Sequence, residues 1–194
     1  MRANAEGSAT GCDDHVLVTR VARGDPAAFR ILVERHAEPA RRVAFRMLGD
    51  AGEAEDVAQE AMLKLWRGAA AIVIGPPGLG PWIYRVAMNA SLDRLRRRRF
   101  RLFPTPSEMP DSAAESDGDA FAADRARRVA ACLARLRGRQ RAAVVLTYYE
   151  ELPNAVAAET LSMKLKAFES LLQRARQALL AELRSEGILT LEDA

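Results

Sequence analysis

Trp82-Ile-Tyr-Arg-Val-Ala-Met-Asn-Ala-Ser-Leu-Asp-Arg-Leu-Arg-Arg-Arg-Arg99 reads as a helix that becomes a basic rod. Apolar residues in its first half recur at helical spacing. Its second half carries Arg94, Arg96, Arg97, Arg98 and Arg99, with Arg101 beyond Phe100. Just upstream, Gly75-Pro-Pro-Gly-Leu-Gly-Pro81 cannot be a helix interior and reads as a rigid turn or loop. Before it, Glu53, Asp56, Val57, Glu60, Ala61, Lys64, Leu65 and Trp66 alternate charged and apolar faces of one helix, opened by the break at Gly49-Asp50. Further back, Asp25 is placed to cap a helix with Pro26 at its first position, running through Phe29, Leu32 and Val33 towards Leu48, with Pro39 as a bend or junction. A first helix starts near Asp13 or Asp14.

Downstream of the basic rod the pattern fails and then resumes. Residues 104–120 hold three prolines and lack an apolar period, and five acids lie between 108 and 119, which reads as a flexible acidic linker. From Phe121 a helical stripe returns with Val129, Cys132, Leu133 and Leu136, and Leu152-Pro153 breaks the chain again. The segments 154–161 and 164–183 then resemble a helix-turn-helix around Ser162-Met163. Leu165, Phe168, Leu172, Ala175 and Leu179 are expected to face inward against Leu146, Tyr149, Ala158 and Leu161. Lys166, Ser170, Gln173 and Arg174 form the candidate groove-reading face, because Gln and Arg can read base edges while Lys and Arg contact phosphates.

The expected fold is therefore all-α: two small helical bundles joined by a flexible linker, the C-terminal one containing a helix-turn-helix. The expected division is a disordered tail at 1–13, a first unit at 14–101, a linker at 102–120, a second unit at 121–184 and a C-terminal tail at 185–194. With 49% hydrophobic residues among 194 the chain can build real cores, while 28% charged residues argue against membrane residence. No signal-peptide core is present. The net charge of +3 is modest, so the clustering of arginines is the feature that points to a long polyanion such as DNA. Two cysteines, Cys12 and Cys132, suit a reduced, cytoplasmic chain without a disulfide framework. His15 and His36 have no nucleophile or zinc pattern around them, and the Gly75–Gly80 loop lacks the lysine and hydroxyl of a phosphate-binding loop. No active site, metal or cofactor is implied. Trp82 reads as a core anchor at a helix start, whereas Arg85 and Asn89, one turn apart, are the exposed pair whose Asn can hydrogen-bond a base edge.

Gly24-Asp-Pro-Ala-Ala-Phe29, Gly49-Asp-Ala-Gly-Glu-Ala-Glu-Asp-Val-Ala-Gln-Glu-Ala-Met-Leu-Lys-Leu-Trp66 and Pro81-Trp-Ile-Tyr-Arg-Val-Ala-Met-Asn-Ala-Ser-Leu-Asp-Arg-Leu-Arg-Arg97 together resemble region two of bacterial sigma factors of the extracytoplasmic-function type. Leu136–Leu180, with Tyr148-Tyr149-Glu150 and Lys166-Ala-Phe-Glu-Ser-Leu-Leu-Gln-Arg-Ala-Arg176, resembles region four. The resemblance implies a promoter-specificity subunit of RNA polymerase. It places Asp56, Gln59, Glu60 and Leu63 at the polymerase clamp, and Arg85, Asn89, Asp93, Arg94 and Arg97 at the melted −10 element. Lys166, Ser170, Gln173 and Arg174 are placed at the duplex −35 element. It also implies core RNA polymerase, promoter DNA and an anti-sigma protein as partners, with no direct membrane insertion. The chain departs from the usual pattern with Gly138 where proline is common, Glu151 where glycine is usual, and Ser162 and Lys164 at the turn and cap positions. Two other readings stay open: a sigma-like DNA-binding regulator, or a signalling interaction protein, neither of which directs polymerase.

Overall fold

The computed structural model describes residues 13–75, 78–100 and 120–189, apart from the side chains at 99, 100 and 120–123. The N-terminal tail, the Gly/Pro loop's two central prolines, the acidic linker and the last five residues lie outside the described residues. All regular structure among the described residues is helical. Two helical clusters follow one another along the chain, as the spacing of apolar residues predicts.

The first cluster holds α1 (Asp14–Ala22), α2 (Pro26–Leu48), α3 (Ala51–Gly68) and α4 (Gly80–Phe100). Each of its first three helices begins at an aspartate. Asp13 accepts from the His15 amide, Asp25 from those of Ala27 and Ala28, and Asp50 from that of Glu53. These carboxylates satisfy amide donors that the helix itself leaves unpaired, and they sit at its positive end. Gly49 then ends α2 in the left-handed conformation at φ 67°, which glycine adopts without a Cβ clash. Pro39 lies inside α2 without breaking it. Leu32, Val43, Met47, Val57, Leu65, Ile83 and Met88 are fully buried between α2, α3 and α4.

The second cluster holds α5 (Ala120–Arg135), α6 (Gly138–Val144), α7 (Asn154–Thr160) and α8 (Leu165–Ser185). A π-helical turn, Val145–Tyr149, extends α6. Helices α7 and α8 form the hairpin expected at 154–180, the turn closing through the Met163 amide on the Ala158 carbonyl at 2.8 Å. Phe168, Leu172 and Ala175 face inward against buried Leu146, Ala158 and Leu161, as expected. Two residues depart from that expectation. Leu165 is 44% exposed because it opens α8 and has no preceding turn to cover it. Tyr149 is 41% exposed because the wider π turn rotates it out of the α period.

The clusters also touch. The buried apolar residues of both halves form one continuous core, with α4 packed on α6 and α7, and α2 packed on α5 and α6.

Candidate nucleic-acid interface

Helix α3 shows an apolar inner face and a mixed outer one. Ala54, Val57, Ala61 and Leu65 are buried, while Asp56, Gln59 and Leu63 are exposed and Glu60 is half-exposed. Leu63 and Trp66 stand outside at 49% and 37% exposure, apolar side chains among charges, although the Trp66 ring also packs on Phe29 of α2 at 5.0 Å between ring centres. Glu60 is not free: it pairs with Lys64 at 2.7 Å on its own helix and with Arg94 at 3.3 Å on α4. The Lys64 hydrogen bond, helped by Arg94 and opposed by burial, holds the Glu60 carboxyl below the ordinary carboxylate range.

Helix α4 carries the five candidate −10 residues. Asn89, Asp93 and Arg97 are exposed and Arg94 is half-buried; Arg85, expected to be exposed with Asn89, is half-buried too, because it borders the α7–α8 turn. The arginine run wraps round the helix, so its members part company. Arg98 folds back onto the Leu48 carbonyl at 3.0 Å and the Glu53 carboxylate, which ties α4 to the α2–α3 junction. Arg96 pairs with Asp93 one turn away at 3.1 Å. Trp82 is half-buried and packs against the core, in keeping with an anchor at the helix start.

On α8, Lys166, Ser170, Gln173 and Arg174 are all exposed on the face opposite Phe168, Leu171, Leu172 and Ala175. Ser170 donates to the Lys166 carbonyl and Arg174 to the Ser170 carbonyl. Lys164 occupies the cap position of α8 with extended backbone and offers no side-chain acceptor, as its chemistry requires. Ser162 and Glu151 take up left-handed conformations at φ 52° and 51°.

Sequence reasoning missed a group of side chains between the halves. Arg46 of α2 pairs with Glu150 at 3.0 Å, and its guanidinium lies 4.5 Å from the centre of the Tyr149 ring. The Tyr84 hydroxyl of α4 donates to the same Glu150 carboxylate; burial, and then that neighbour, push its pKa far above the phenol range. Arg141 is buried and donates to the carbonyls of Met47 and Ala134, its pKa pulled down to about 10 by burial and by the Arg98 charge. Nothing in the local pattern marks these residues, since each could serve equally well in an isolated bundle.

Among the described residues no cluster of His, Cys, Asp or Glu could hold a metal ion, and no helix is long and apolar enough to cross a membrane.

Comparison with known proteins places these two helical clusters. Residues 32–101 match the Sigma-70 region 2 family and residues 126–179 match Sigma-70 region 4. The ECF RNA polymerase sigma factor SigL of Mycobacterium tuberculosis is 31% identical over 173 residues, spanning 88% of this chain and 97% of that one. SigW of Bacillus subtilis is 27% identical over 178 residues, spanning 86% and 95%. In three dimensions the fold is similar to CnrH, solved in complex with the cytosolic domain of CnrY, with a TM-score of 0.66, 26% identity and coverage of 89% and 97%. It also shares its fold with RpoE of Bartonella quintana, at a TM-score of 0.63, 19% identity and coverage of 80% and 96%. A capped, acid-rich α3, a basic α4 and a C-terminal helical hairpin, matched to Sigma-70 regions 2 and 4, therefore mark a sigma factor of the sigma-70 kind. The chain belongs to the ECF RNA polymerase sigma factors. Sigma factors are not enzymes, which agrees with the expectation from the sequence.

Proposed function

We propose that this chain directs core RNA polymerase to promoters through three of its surfaces. The outer face of α3, with Asp56, Gln59, Glu60 and Leu63, binds the polymerase clamp. The α4 residues Arg85, Asn89, Asp93, Arg94 and Arg97 hold the melted −10 element, and Lys166, Ser170, Gln173 and Arg174 of α8 read the −35 element as duplex. Residues 14–101 act as the polymerase and −10 unit, and 121–184 as the −35 unit. The observation that carries this reading is α8: the four residues singled out for the groove lie together on its open face, with the hydrophobic face spent on the bundle. Phosphate contacts supply affinity and register, and base edges supply sequence. Capture of unstacked bases on α4 favours the open duplex.

Run-off transcription with core polymerase and a promoter library tests it. The expected result is initiation from a subset of promoters that depends on this chain, and no dependent promoter overturns the reading. Reversing Asp56 and Glu60 to arginine is expected to abolish core binding while sparing duplex binding. Duplex binding by the unaltered chain with no core binding to lose would favour a regulator that never joins polymerase. An anti-sigma protein is proposed as a further partner, supported by the likeness to CnrH, whose structure contains the cytosolic domain of CnrY.

A further inference from the structure

Between α2 and α5 lies a cleft of about 880 Å³ that the three proposed surfaces leave without a task. Four arginines border it: Arg41, Arg42 and Arg46 from α2, and Arg125 from α5. Like charges gathered in one place repel unless an anion offsets them. The carboxylates within reach do not balance these four. Arg41 grips Glu38 through two hydrogen bonds, at 2.8 and 2.9 Å, and Arg42 reaches the same carboxylate only at 3.9 Å. Arg46 is held by Glu150 at 3.0 Å. No hydrogen bond or ion pair joins Arg125 to any described residue. Arg42 and Arg125, both exposed, therefore keep donors for a ligand and offer them from two different helices.

The remaining lining is apolar: two rings, Phe45 and Tyr149, with alanines and a valine of α5. Tyr149 is the open one of the two rings, and the Arg46 guanidinium lies over it and fixes its place. An apolar lining with a few charged groups, in about 300–1,000 Å³, is how small-molecule sites are built. Guanidinium forks match phosphate oxygens two at a time. Aromatic side chains stack on nucleobases of any sequence. A ligand that is flat and apolar at one end and multiply anionic at the other satisfies both parts of the lining. The volume suits a single nucleotide, whereas a duplex would bridge the mouth and leave the rings untouched.

We propose that the α2–α5 cleft binds a nucleoside diphosphate or triphosphate, its phosphates on Arg42 and Arg125 and its base on Tyr149. The site stands apart from the promoter reading, because none of these residues belongs to the polymerase, −10 or −35 surfaces proposed above.

The test titrates the full chain, without polymerase and in magnesium-free buffer, into mant-ATP, an ATP with a fluorescent group on its ribose, and reads anisotropy. Unlabelled ATP, GTP, adenosine, inorganic pyrophosphate and a 12-nucleotide single-stranded DNA are the competitors. The expected result is saturable binding tighter than about 1 mM, displaced by ATP or GTP. Adenosine and pyrophosphate, each carrying one part of the ligand, are expected to compete about tenfold less well. Arg42→Ala and Arg125→Ala are each expected to weaken binding about tenfold, the loss of one charge-assisted contact. Tyr149→Leu is expected to weaken it by a similar factor through lost stacking. Arg67→Ala, which removes an exposed arginine at the end of α3, is the charge control and is expected to change nothing. Circular dichroism checks that each variant folds, and Arg42 and Arg125 lie outside the core. Absence of saturable binding overturns the proposal, and so does binding indifferent to both arginine variants or equally weakened by Arg67→Ala. Pyrophosphate competing as well as ATP would mean an anion site without a base, and the single strand competing better than ATP would mean a nucleic-acid groove; either overturns the nucleotide assignment. Run-off transcription is read separately: its failure removes the promoter reading and leaves this site, and failure here leaves the promoter reading.

Discussion

The two halves of this chain begin and end their helices differently. In the first, α1, α2 and α3 each start on an aspartate that takes up free amides, and the reversal after α2 is made by a glycine. In the second, α7 and α8 start on Pro153 and Lys164, which offer no side-chain acceptor, and the left-handed positions are filled by Glu151 and Ser162. A residue with a Cβ pays roughly 1–2 kcal/mol to stand there. Among α6, α7 and α8, α6 alone gains a local aid, the Gln140 side chain accepting from the Arg137 amide at 3.3 Å. The first cluster is thus specified turn by turn, whereas the second is held by what its helices bury and by the surface it leans on.

The sharpest way to break that contrast is Phe168→Ala. Phe168 is fully buried at the centre of the second cluster, and its removal is expected to cost about 3–5 kcal/mol. Hydrogen exchange is expected to show α5–α8 losing protection while α1–α4 keep theirs. Joint loss would mean that the halves fold as one unit.

A smaller pair of changes trades the caps. Asp50→Ala is expected to lower stability by about 1 kcal/mol, and Lys164→Ser to raise it by about as much, since the Lys164 backbone already has the extended geometry of a cap. In thermal unfolding each appears as a shift of about 2–4 °C, in opposite directions. Equal signs would show that capping is not what separates the halves.

The smallest effect is spectroscopic. Tyr84 has its pKa raised above the ordinary 10.0, by burial first and by Glu150 second, so the native fold favours the neutral phenol. Its contribution is complete below pH 10 and fades as pH rises past the raised value. Absorbance titration at alkaline pH is expected to show a late-ionising phenol that Tyr84→Phe removes. A titration unchanged by the substitution would detach Tyr84 from Glu150.

Much of the fold was open to reading because the evidence for it is local. Apolar residues every three or four positions, aspartates before Pro26 and Ala51, and the break at Leu152-Pro153 each act within a turn or two of the chain. The outward placement of Lys166, Ser170, Gln173 and Arg174 followed from the same period. Tyr149 escaped because a π turn inserts a residue into that period, and nothing in Val145–Tyr149 announces it. The contact between the halves escaped for a different reason. Arg46 and Glu150 stand more than a hundred positions apart, and pairing over that distance is decided by shape rather than by spacing. Gly138 reads in sequence as a simple interruption of a helix, and only the fold brings it against Leu92.

Glu60 sits between Lys64 on its own helix and Arg94 on the next. A cation brought to α3 from outside competes for that carboxylate and liberates the guanidinium; an anion brought to α4 takes the guanidinium and leaves the carboxylate to Lys64 alone. Linked equilibria are reciprocal. Each visitor therefore changes the welcome given to the other by the same factor, and a single shared ion pair makes two neighbouring surfaces of this small chain answer to one another.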